Sequence, residues 1–270
     1  MPTYTAHDRL PIAAAASPGE PVLLLSHATG FCKEVWGPVA AALPGFGLVA
    51  VDQRGHGDSG TPLPPFDWWD LGRDLVTAAA EAGAPHPIGV GHSSGAAALL
   101  MAEVLDPGRF SALVLIEPIV FPPPYRRYED LPLAVAAERR RASFPSRLAI
   151  LEAFRGRGIF AGWVDEAVEA YVDGGFREIG GEWILKCAPA VEAEWYRSAT
   201  THGVWDRLGE VACPAVVVGG AGSSTHPASL LQQQADLLGD GRVEMVPGST
   251  HFVPMEDPEA VARLVRELAR

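Results

Sequence analysis

The sequence predicts an α/β protein whose mostly parallel sheet is covered by helices on both faces. Short apolar runs bounded by Gly, Pro or polar residues indicate buried strands at 21–25, 48–51, 88–90, 112–116, 215–218 and 243–246. Helical patterns lie between or after these runs, at 35–43, 71–81, 94–105, 229–238 and 258–268. Strands that are apolar throughout and alternate with helices are typical of parallel sheets buried on both faces.

The region 121–206 interrupts this alternation. It opens on three prolines and continues with helical patterns, but it contains no predicted strand. We therefore predict a core domain formed by residues 1–120 and 207–270, with a helical cap of residues 121–206 inserted into it. Aromatic residues are concentrated in this cap, which suits either the packing of a thin helical layer or an apolar lid over a pocket. We favour the lid.

Charge and cysteine content limit the partners and the compartment. The formal net charge of −12 at pH 7 disfavours binding to nucleic acid or to anionic membranes. The three cysteines form no CxxC pair and are odd in number, which points to a reducing compartment. No segment resembles a signal peptide or approaches the ~18 apolar residues of a membrane span. We expect a cytoplasmic protein with a small-molecule partner, and no sequence feature indicates an oligomeric state.

The segment IGVGHSSGAA at 88–97 joins a predicted strand to a predicted helix and fits two kinds of turn. The first kind binds the phosphates of a dinucleotide. Gly89 and Gly91 match the first two glycines of that motif, but Ser94 occupies the third position. Glu117 ends the next strand, about where an acidic residue would meet the ribose.

The second kind of turn presents a nucleophile. Gly91, Ser93 and Gly95 form a Gly-x-Ser-x-Gly motif, in which small residues on either side allow a strained strand-to-helix turn to close. The backbone N–H of Ser94 would then lie at a helix start and could donate to an oxyanion.

Three distant segments favour the nucleophile. HATG at 27–30 follows an early strand, where a second oxyanion donor is needed, and DQRGHG at 52–57 follows the next strand. STHF at 249–252 follows the last strand, where a general base is needed. A dinucleotide-binding fold predicts none of these segments and usually places its glycine turn at the first strand.

Together the motifs resemble the α/β-hydrolase-fold serine hydrolases, of the esterase and lactonase type, over nearly the whole chain. The matching segments, in the order of that family, are SHATGF, DQRGHGDSG, GHSSG, LVLIEP and GSTHFVPMEDP. The resemblance implies Ser93 as nucleophile, His251 as general base, and an oxyanion hole formed by Ser94 with Thr29 or Ala28. Because the sequence has His-Ala where the family usually has His-Gly, both Thr29 and Ala28 stay open as the second donor.

The acid of the triad is absent from the family's more usual position. After the predicted strand 215–218 no carboxylate occurs before Asp236. A catalytic imidazole needs a carboxylate on Nδ1 to hold its tautomer and to stabilise the imidazolium. We favour Glu117, which ends the strand after the nucleophile helix. Asp257 is the rival, and a purely structural role for Glu117 is the alternative.

An acid at this position resembles two branches of the family. Haloalkane dehalogenases carry their acid there, and LVLIEPIVFP is similar to their segment. Zearalenone-type lactonases have Ser, Glu and His in this chain order. Dehalogenase and epoxide hydrolase chemistry need an Asp nucleophile, whereas position 93 is Ser.

Other residues near the motifs have less specific assignments. Phe31 is expected to line the pocket, and His92 is assigned to substrate binding, with packing against the turn as its alternative. The chain has no HExxH motif and no clustered Cys and His spacing, so we expect no metal and no cofactor. The basic run 139–141 is interpreted as a solvated helix face.

The sequence thus predicts a serine hydrolase that cleaves a carboxylic ester of a small, largely apolar substrate through a Ser-His-Glu triad and an acyl-enzyme. Hydrolysis of a lactone or of a carbon–carbon bond uses the same residues and stays open. A hydrolase fold kept as a non-catalytic ligand-binding protein is the alternative of a different class.

Overall fold

Strands of two sheets form the framework of the computed structural model, which describes residues 2–270. They are β1 (Thr3–Thr5), β2 (Pro11–Ser17), β3 (Val22–Ser26), β4 (Gly47–Val51), β5 (Ile88–His92), β6 (Ala112–Ile116), β7 (Ser143–Phe144), β8 (Phe176–Ile179), β9 (Glu182–Leu185), β10 (Ala215–Gly220) and β11 (Gly241–Val246).

The helices alternate with these strands in the core and dominate the inserted region. They are α1 (Gly37–Ala41), α2 (Trp69–Glu81), α3 (Ser94–Leu105), α4 (Pro132–Glu138), α5 (Arg147–Phe154), α6 (Asp165–Gly175), α7 (Pro189–Arg197), α8 (Ala228–Leu237), α9 (Val253–Glu256) and α10 (Pro258–Leu268). Short 3-10 helices span Lys33–Trp36, Gly158–Phe160 and Val204–Glu210.

The main sheet has eight strands in the order β1-β2-β4-β3-β5-β6-β10-β11. The strands from β4 to β11 in that order run parallel, and β1 and β2 add an antiparallel edge. All six predicted strands are present. β1 and β2 were not predicted, because β2 (PIAAAAS) is mostly alanine and lacks the β-branched residues that mark a strand.

Both faces of the sheet are covered, which confirms the predicted α/β architecture. In β6, Val114 and Ile116 belong to one hydrophobic cluster, whereas Leu113 and Leu115 belong to a second cluster on the opposite face. The first cluster is closed by α1 and α10, and the second by α2, α3 and α8. Because the parallel strands share one direction, the loops after them gather at one edge of the sheet.

The prediction of a region without strands between 121 and 206 was wrong. Helices α4 to α7 do fill most of it, but β7, β9 and β8 form a small antiparallel sheet there. β8 and β9 are joined by Gly180 and Gly181, both with positive φ, as a tight hairpin requires. These strands have only two to four residues, too few for the alternation of side chains to stand out in the sequence.

Among residues 2–270, none of the helices combines the length and the apolar character needed to cross a membrane.

Candidate active site

Ser93 occupies a sharp turn between β5 and α3. Its φ of 57° lies in the left-handed region, which costs energy in a residue other than glycine. The turn closes because its flanks are glycines. A Cβ on Gly91 would lie 2.6 Å from the backbone nitrogen of Ala96, and a Cβ on Gly95 would collide with the carbonyl oxygen of Ser26. The sequence-predicted nucleophile turn is therefore present in the backbone.

His251 and Glu117 meet at the same edge of the sheet. Glu117 directly follows β6 and is fully buried, and His251 lies in the loop after β11. His251 Nδ1 lies 2.6 Å from Glu117 Oε2, the distance of a charge-assisted hydrogen bond. Asp257, the rival candidate for the acid, instead caps α10, since its Oδ1 accepts a hydrogen bond from the backbone N–H of Ala260.

Glu117 is held by donors from the last residue of β10 and from the turn that follows it. Glu117 Oε1 accepts from the backbone N–H of Gly220 at 3.0 Å, and Oε2 accepts from the hydroxyls of Ser223 at 2.8 Å and Thr225 at 3.1 Å. His226 Nδ1 also lies 3.1 Å from Glu117 Oε2. The sequence carries no signal for these partners, because the turn contains no carboxylate and matches no motif.

This environment favours the charged form of Glu117. Burial alone would raise the pKa of its carboxyl, but hydrogen bonds from His226 and His251 outweigh burial and hold that pKa well below the ordinary value. A carboxylate that stays ionised on Nδ1 of an imidazole can orient the ring and stabilise its protonated form.

Ser93 and His251 line the same cavity, which adjoins this edge of the sheet and has a volume of about 1180 Å³. Within residues 2–270 no hydrogen bond joins the Ser93 hydroxyl to His251. Such contacts are often long without substrate and tighten when it binds. The side chain of His251 is 17% exposed, which leaves its ring open to the cavity.

The loop after β3 presents the candidate oxyanion donors. Ala28 and Thr29 line the cavity together with Ser93. The carbonyl of Ala28 accepts from His27 Nδ1 at 2.7 Å, while His27 Nε2 accepts from the backbone N–H of Gln53 at 3.0 Å. Burial lowers the pKa of His27 to about 4, so the ring is neutral and its Nδ1–H fixes the peptide that carries the Thr29 N–H.

Two tyrosines from the region 121–206 also contact this loop. The Tyr171 hydroxyl donates to the carbonyl of Gly30 at 3.2 Å, and the Tyr196 hydroxyl donates to the carbonyl of Thr29 at 3.4 Å. Tyr171 in turn accepts from Arg140 Nη2 at 2.8 Å. The loop with the candidate oxyanion donors is therefore held by His27 on one side and by residues of the region 121–206 on the other.

Phe31 and His92 have different positions. Phe31 lines the cavity, as predicted, and packs edge-on against Trp163 and Tyr171. His92 is not part of the cavity wall. It is almost fully buried, and its Nε2 lies 2.8 Å from the carbonyl oxygen of His251, to which it donates. We therefore correct its assignment from substrate binding to support of the His251 loop, because β5 directs its ring beneath that loop.

The interpretation of the basic run 139–141 as a solvated helix face is wrong for its middle residue, Arg140. Arg140 lies in the cavity wall, where Nη1 donates to Glu192 Oε2 at 2.5 Å. The two side chains are 22% and 7% exposed. Arg140 is thus not part of a solvated helix face, and among residues 2–270 it is the one Arg or Lys in the wall of the cavity.

One cluster at this site has the composition of a metal-binding group. Glu117, His226 and His251 offer ligand atoms within 4.8 Å of one another. The distance of 2.6 Å between Nδ1 of His251 and the carboxylate is that of a shared proton, whereas two ligands of one zinc ion lie farther apart. The arrangement fits a hydrogen-bonded triad better than a metal site.

Comparison with known proteins agrees with this geometry. A sequence model described as the alpha/beta hydrolase family matches residues 22–264. The 2-(acetamidomethylene)succinate hydrolase of Mesorhizobium japonicum is 26% identical over 246 residues, covering 91% of this chain and 86% of the relative. RutD of Klebsiella pneumoniae, whose name gives carbamate hydrolase as a provisional assignment, is 31% identical over 260 residues, covering 93% of this chain and 92% of the relative.

A solved structure shows the same fold. The crystal structure of E-2-(acetamidomethylene)succinate hydrolase superposes with a TM-score of 0.83 at 24% identity, covering 99% of this chain and 98% of that chain. The nucleophile turn, the sheet order and the match over residues 22–264 lead to one conclusion: this chain belongs to the alpha/beta hydrolase family.

Proposed function

We propose that the protein is a serine hydrolase that cleaves a carboxylic ester of a small, largely apolar substrate. One observation carries the proposal. The imidazole of His251 is hydrogen-bonded to the buried carboxylate of Glu117 at 2.6 Å. It borders the same cavity as Ser93, which lies in a strained turn. This is the arrangement that nucleophilic acyl transfer requires.

The mechanism follows from these positions. His251 Nε2 takes the proton of Ser93 as Oγ attacks the carbonyl carbon, and Glu117 stabilises the imidazolium. The backbone N–H of Ser94, with that of Thr29 or Ala28, stabilises the oxyanion. His251 then protonates the leaving alcohol. A water molecule, deprotonated by His251, attacks the acyl-enzyme and releases the acid and free Ser93.

The cavity wall supports an apolar substrate and a capping role for residues 121–206. Phe31, Trp68 and Ile119 contribute apolar surface from the core side of the cavity, while Phe160 and Leu131 contribute it from the inserted region. A pocket lined mostly by apolar and aromatic groups, with a few polar groups, is typical of small-molecule sites. We therefore propose that the inserted region closes over the bound substrate as a cap.

An amide or carbamate is the second candidate for the scissile bond, ahead of a lactone. The names of the two relatives, at 26% and 31% identity, refer to an acetamido compound and to a carbamate. The same nucleophile, base and oxyanion donors serve these bonds, with an amine as the leaving group. The cytoplasmic location and the lack of a metal or cofactor stay predictions from the sequence.

The decisive experiment combines active-site labelling with turnover. A fluorophosphonate probe should label the wild-type protein and not the variant Ser93→Ala, and nitrophenyl esters of short acids should be hydrolysed only by the wild type. The variant Ser229→Ala, which keeps the nucleophile and changes an exposed serine outside the cavity wall, is the control for labelling. A folded wild-type protein that neither reacts with the probe nor turns over esters or amides would instead be a ligand-binding protein.

A further inference from the structure

Arg140 and Glu192 form an ion pair in the wall of the cavity, beside the oxyanion loop. A Cβ placed on Gly30 would lie 2.6 Å from Glu192 Oε1 and 3.5 Å from Arg140 Nη1. Gly30 directly follows Thr29, a candidate oxyanion donor. The pair therefore lies against the loop that carries this candidate donor.

The pair has unused hydrogen-bonding capacity on both members. Arg140 carries five N–H donors, of which one N–H reaches Glu192 and another reaches the Tyr171 hydroxyl, while Nε has no partner within residues 2–270. Glu192 Oε2 accepts from Arg140, but Glu192 Oε1 has no hydrogen-bond partner in that range. The wall thus presents N–H donors directly beside a carboxylate acceptor.

The other carboxylates of the wall do not offer this combination. Glu256 accepts from the backbone N–H and the hydroxyl of Thr250, and Asp257 caps α10. Burying an ion pair rarely adds stability, because desolvation offsets the attraction between the charges. A mostly buried pair that borders the cavity is therefore a candidate for recognition of a ligand, not for stabilisation of the fold.

We propose that Arg140 and Glu192 form a subsite for an amide-type group of the substrate, such as a carboxamide, carbamate or ureide. The guanidinium donates to the carbonyl oxygen of that group, and Glu192 Oε1 accepts from its N–H. This inference rests on the proposed function and specifies its substrate class. Because the pair carries no net charge, the subsite selects a neutral polar group over a carboxylate.

A hydrogen-bonded link joins the guanidinium to the loop with the candidate oxyanion donors. Tyr171 accepts from Arg140 and donates to the carbonyl of Gly30, so one hydroxyl ties the subsite to the oxyanion loop. Hydrogen bonds to the amide-type group would therefore also orient the reacting carbonyl. The resulting increase in kcat/KM should come from a higher kcat as well as from a lower KM.

The test uses nitrophenyl esters with acyl chains of equal length that end in a carboxamide, a carboxylate or an isopropyl group. We expect wild-type kcat/KM for the carboxamide ester to exceed that for the isopropyl ester about ten-fold or more. In Arg140→Met/Glu192→Met, which replaces both charges with apolar groups, this preference should disappear while the isopropyl ester is still hydrolysed. In Glu192→Gln the uncompensated guanidinium should raise kcat/KM for the carboxylate ester about ten-fold.

The matched control is the exposed pair of Arg147 and Asp173 in the same inserted region, which is not part of the cavity wall. Arg147→Gln/Asp173→Asn should keep the wild-type order of substrates. Equal kcat/KM for the carboxamide and isopropyl esters in the wild type, or an unchanged preference in Arg140→Met/Glu192→Met, overturns the subsite.

A binding measurement separates failure of the subsite from failure of the proposed function. Calorimetric titration of Ser93→Ala with the same esters needs no turnover, and the carboxamide ester should again bind about ten-fold more tightly than the isopropyl ester. Selective binding without any turnover by the wild type would refute the hydrolase and support the subsite. Turnover without selective binding would support the hydrolase and refute the subsite.

Discussion

Glu117 and His251 are 134 residues apart in the chain, yet a hydrogen bond of 2.6 Å joins Glu117 Oε2 to His251 Nδ1. The contact forms because β6 and β11 flank β10 in the sheet and end at the same edge. It places a buried carboxylate directly after β6, next to the imidazole of His251.

The first prediction concerns the identity of the acid. Glu117→Gln should lower kcat on the order of 10⁴-fold, because the amide cannot stabilise an imidazolium and can favour the wrong tautomer. Asp257→Asn is the matched control, since that side chain caps α10, and its kcat should stay within a few-fold of wild type. Steady-state kinetics on a nitrophenyl ester give both values. A small decrease in kcat for Glu117→Gln together with a large decrease for Asp257→Asn would show that Asp257 is the acid instead.

The second prediction concerns the support of that acid. His226 lies 3.1 Å from Glu117 Oε2 and, on its other ring nitrogen, 3.1 Å from the carbonyl oxygen of Pro118. His226→Gln should lower kcat about ten-fold with little change in KM, because the carboxylate loses one of several donors. A KM effect alone would mean that His226 contacts the substrate instead.

The third prediction concerns the nucleophile turn. Gly95→Ala should destabilise the protein by about 3 kcal/mol and abolish ester turnover, because the new Cβ meets the backbone of β3 and its following loop. Gly37→Ala is the control, since a Cβ there meets no atom within 4 Å. Urea unfolding monitored by fluorescence measures both variants. Equal midpoints would show that α3 can move away from β3 without loss.

The fourth prediction concerns pH. Burial lowers the pKa of His56 to about 3, whereas an unfolded chain binds this proton near 6.5. The unfolded state therefore holds the extra proton between these values, and the free energy of unfolding should fall as pH falls from about 6.5. Urea titrations at several pH values across this range give the dependence of the free energy of unfolding on pH. In His56→Gln this dependence should correspond to about one proton fewer than in wild type.

His86→Gln serves as the comparison for that measurement, because His86 is exposed and folding does not bury it. A His56→Gln slope identical to that of wild type would mean that His56 is protonated in the folded protein as well.

The core and the central site residues could be predicted from the sequence because each has a local signal. Continuous apolar runs marked the parallel strands, and the glycines around Ser93 marked the turn. The lack of a carboxylate after β10 favoured Glu117 as the acid, and the structure brings Glu117 to His251. These signals are local because they reflect the backbone requirements of one strand or one turn.

The missed features depend on tertiary placement. Arg140 sits in a run of three arginines, and only the packing of the inserted region turns its side chain toward Glu192. His226 reaches Glu117 through the course of a turn that no periodicity describes. The hairpin from β8 to β9 did carry a signal, the Gly180-Gly181 pair, which the helical interpretation of that region passed over.

The hydroxyls of Tyr171 and Tyr196 cross from the inserted region to the carbonyls of Gly30 and Thr29. A chimaera that exchanges this region for that of a relative would remove two anchors from a loop belonging to the other half of the molecule. We therefore expect that exchanging residues 121–206 alone would disturb the loop that carries Thr29 and Gly30. The two tyrosines and the segment they hold have to be inherited, or redesigned, together.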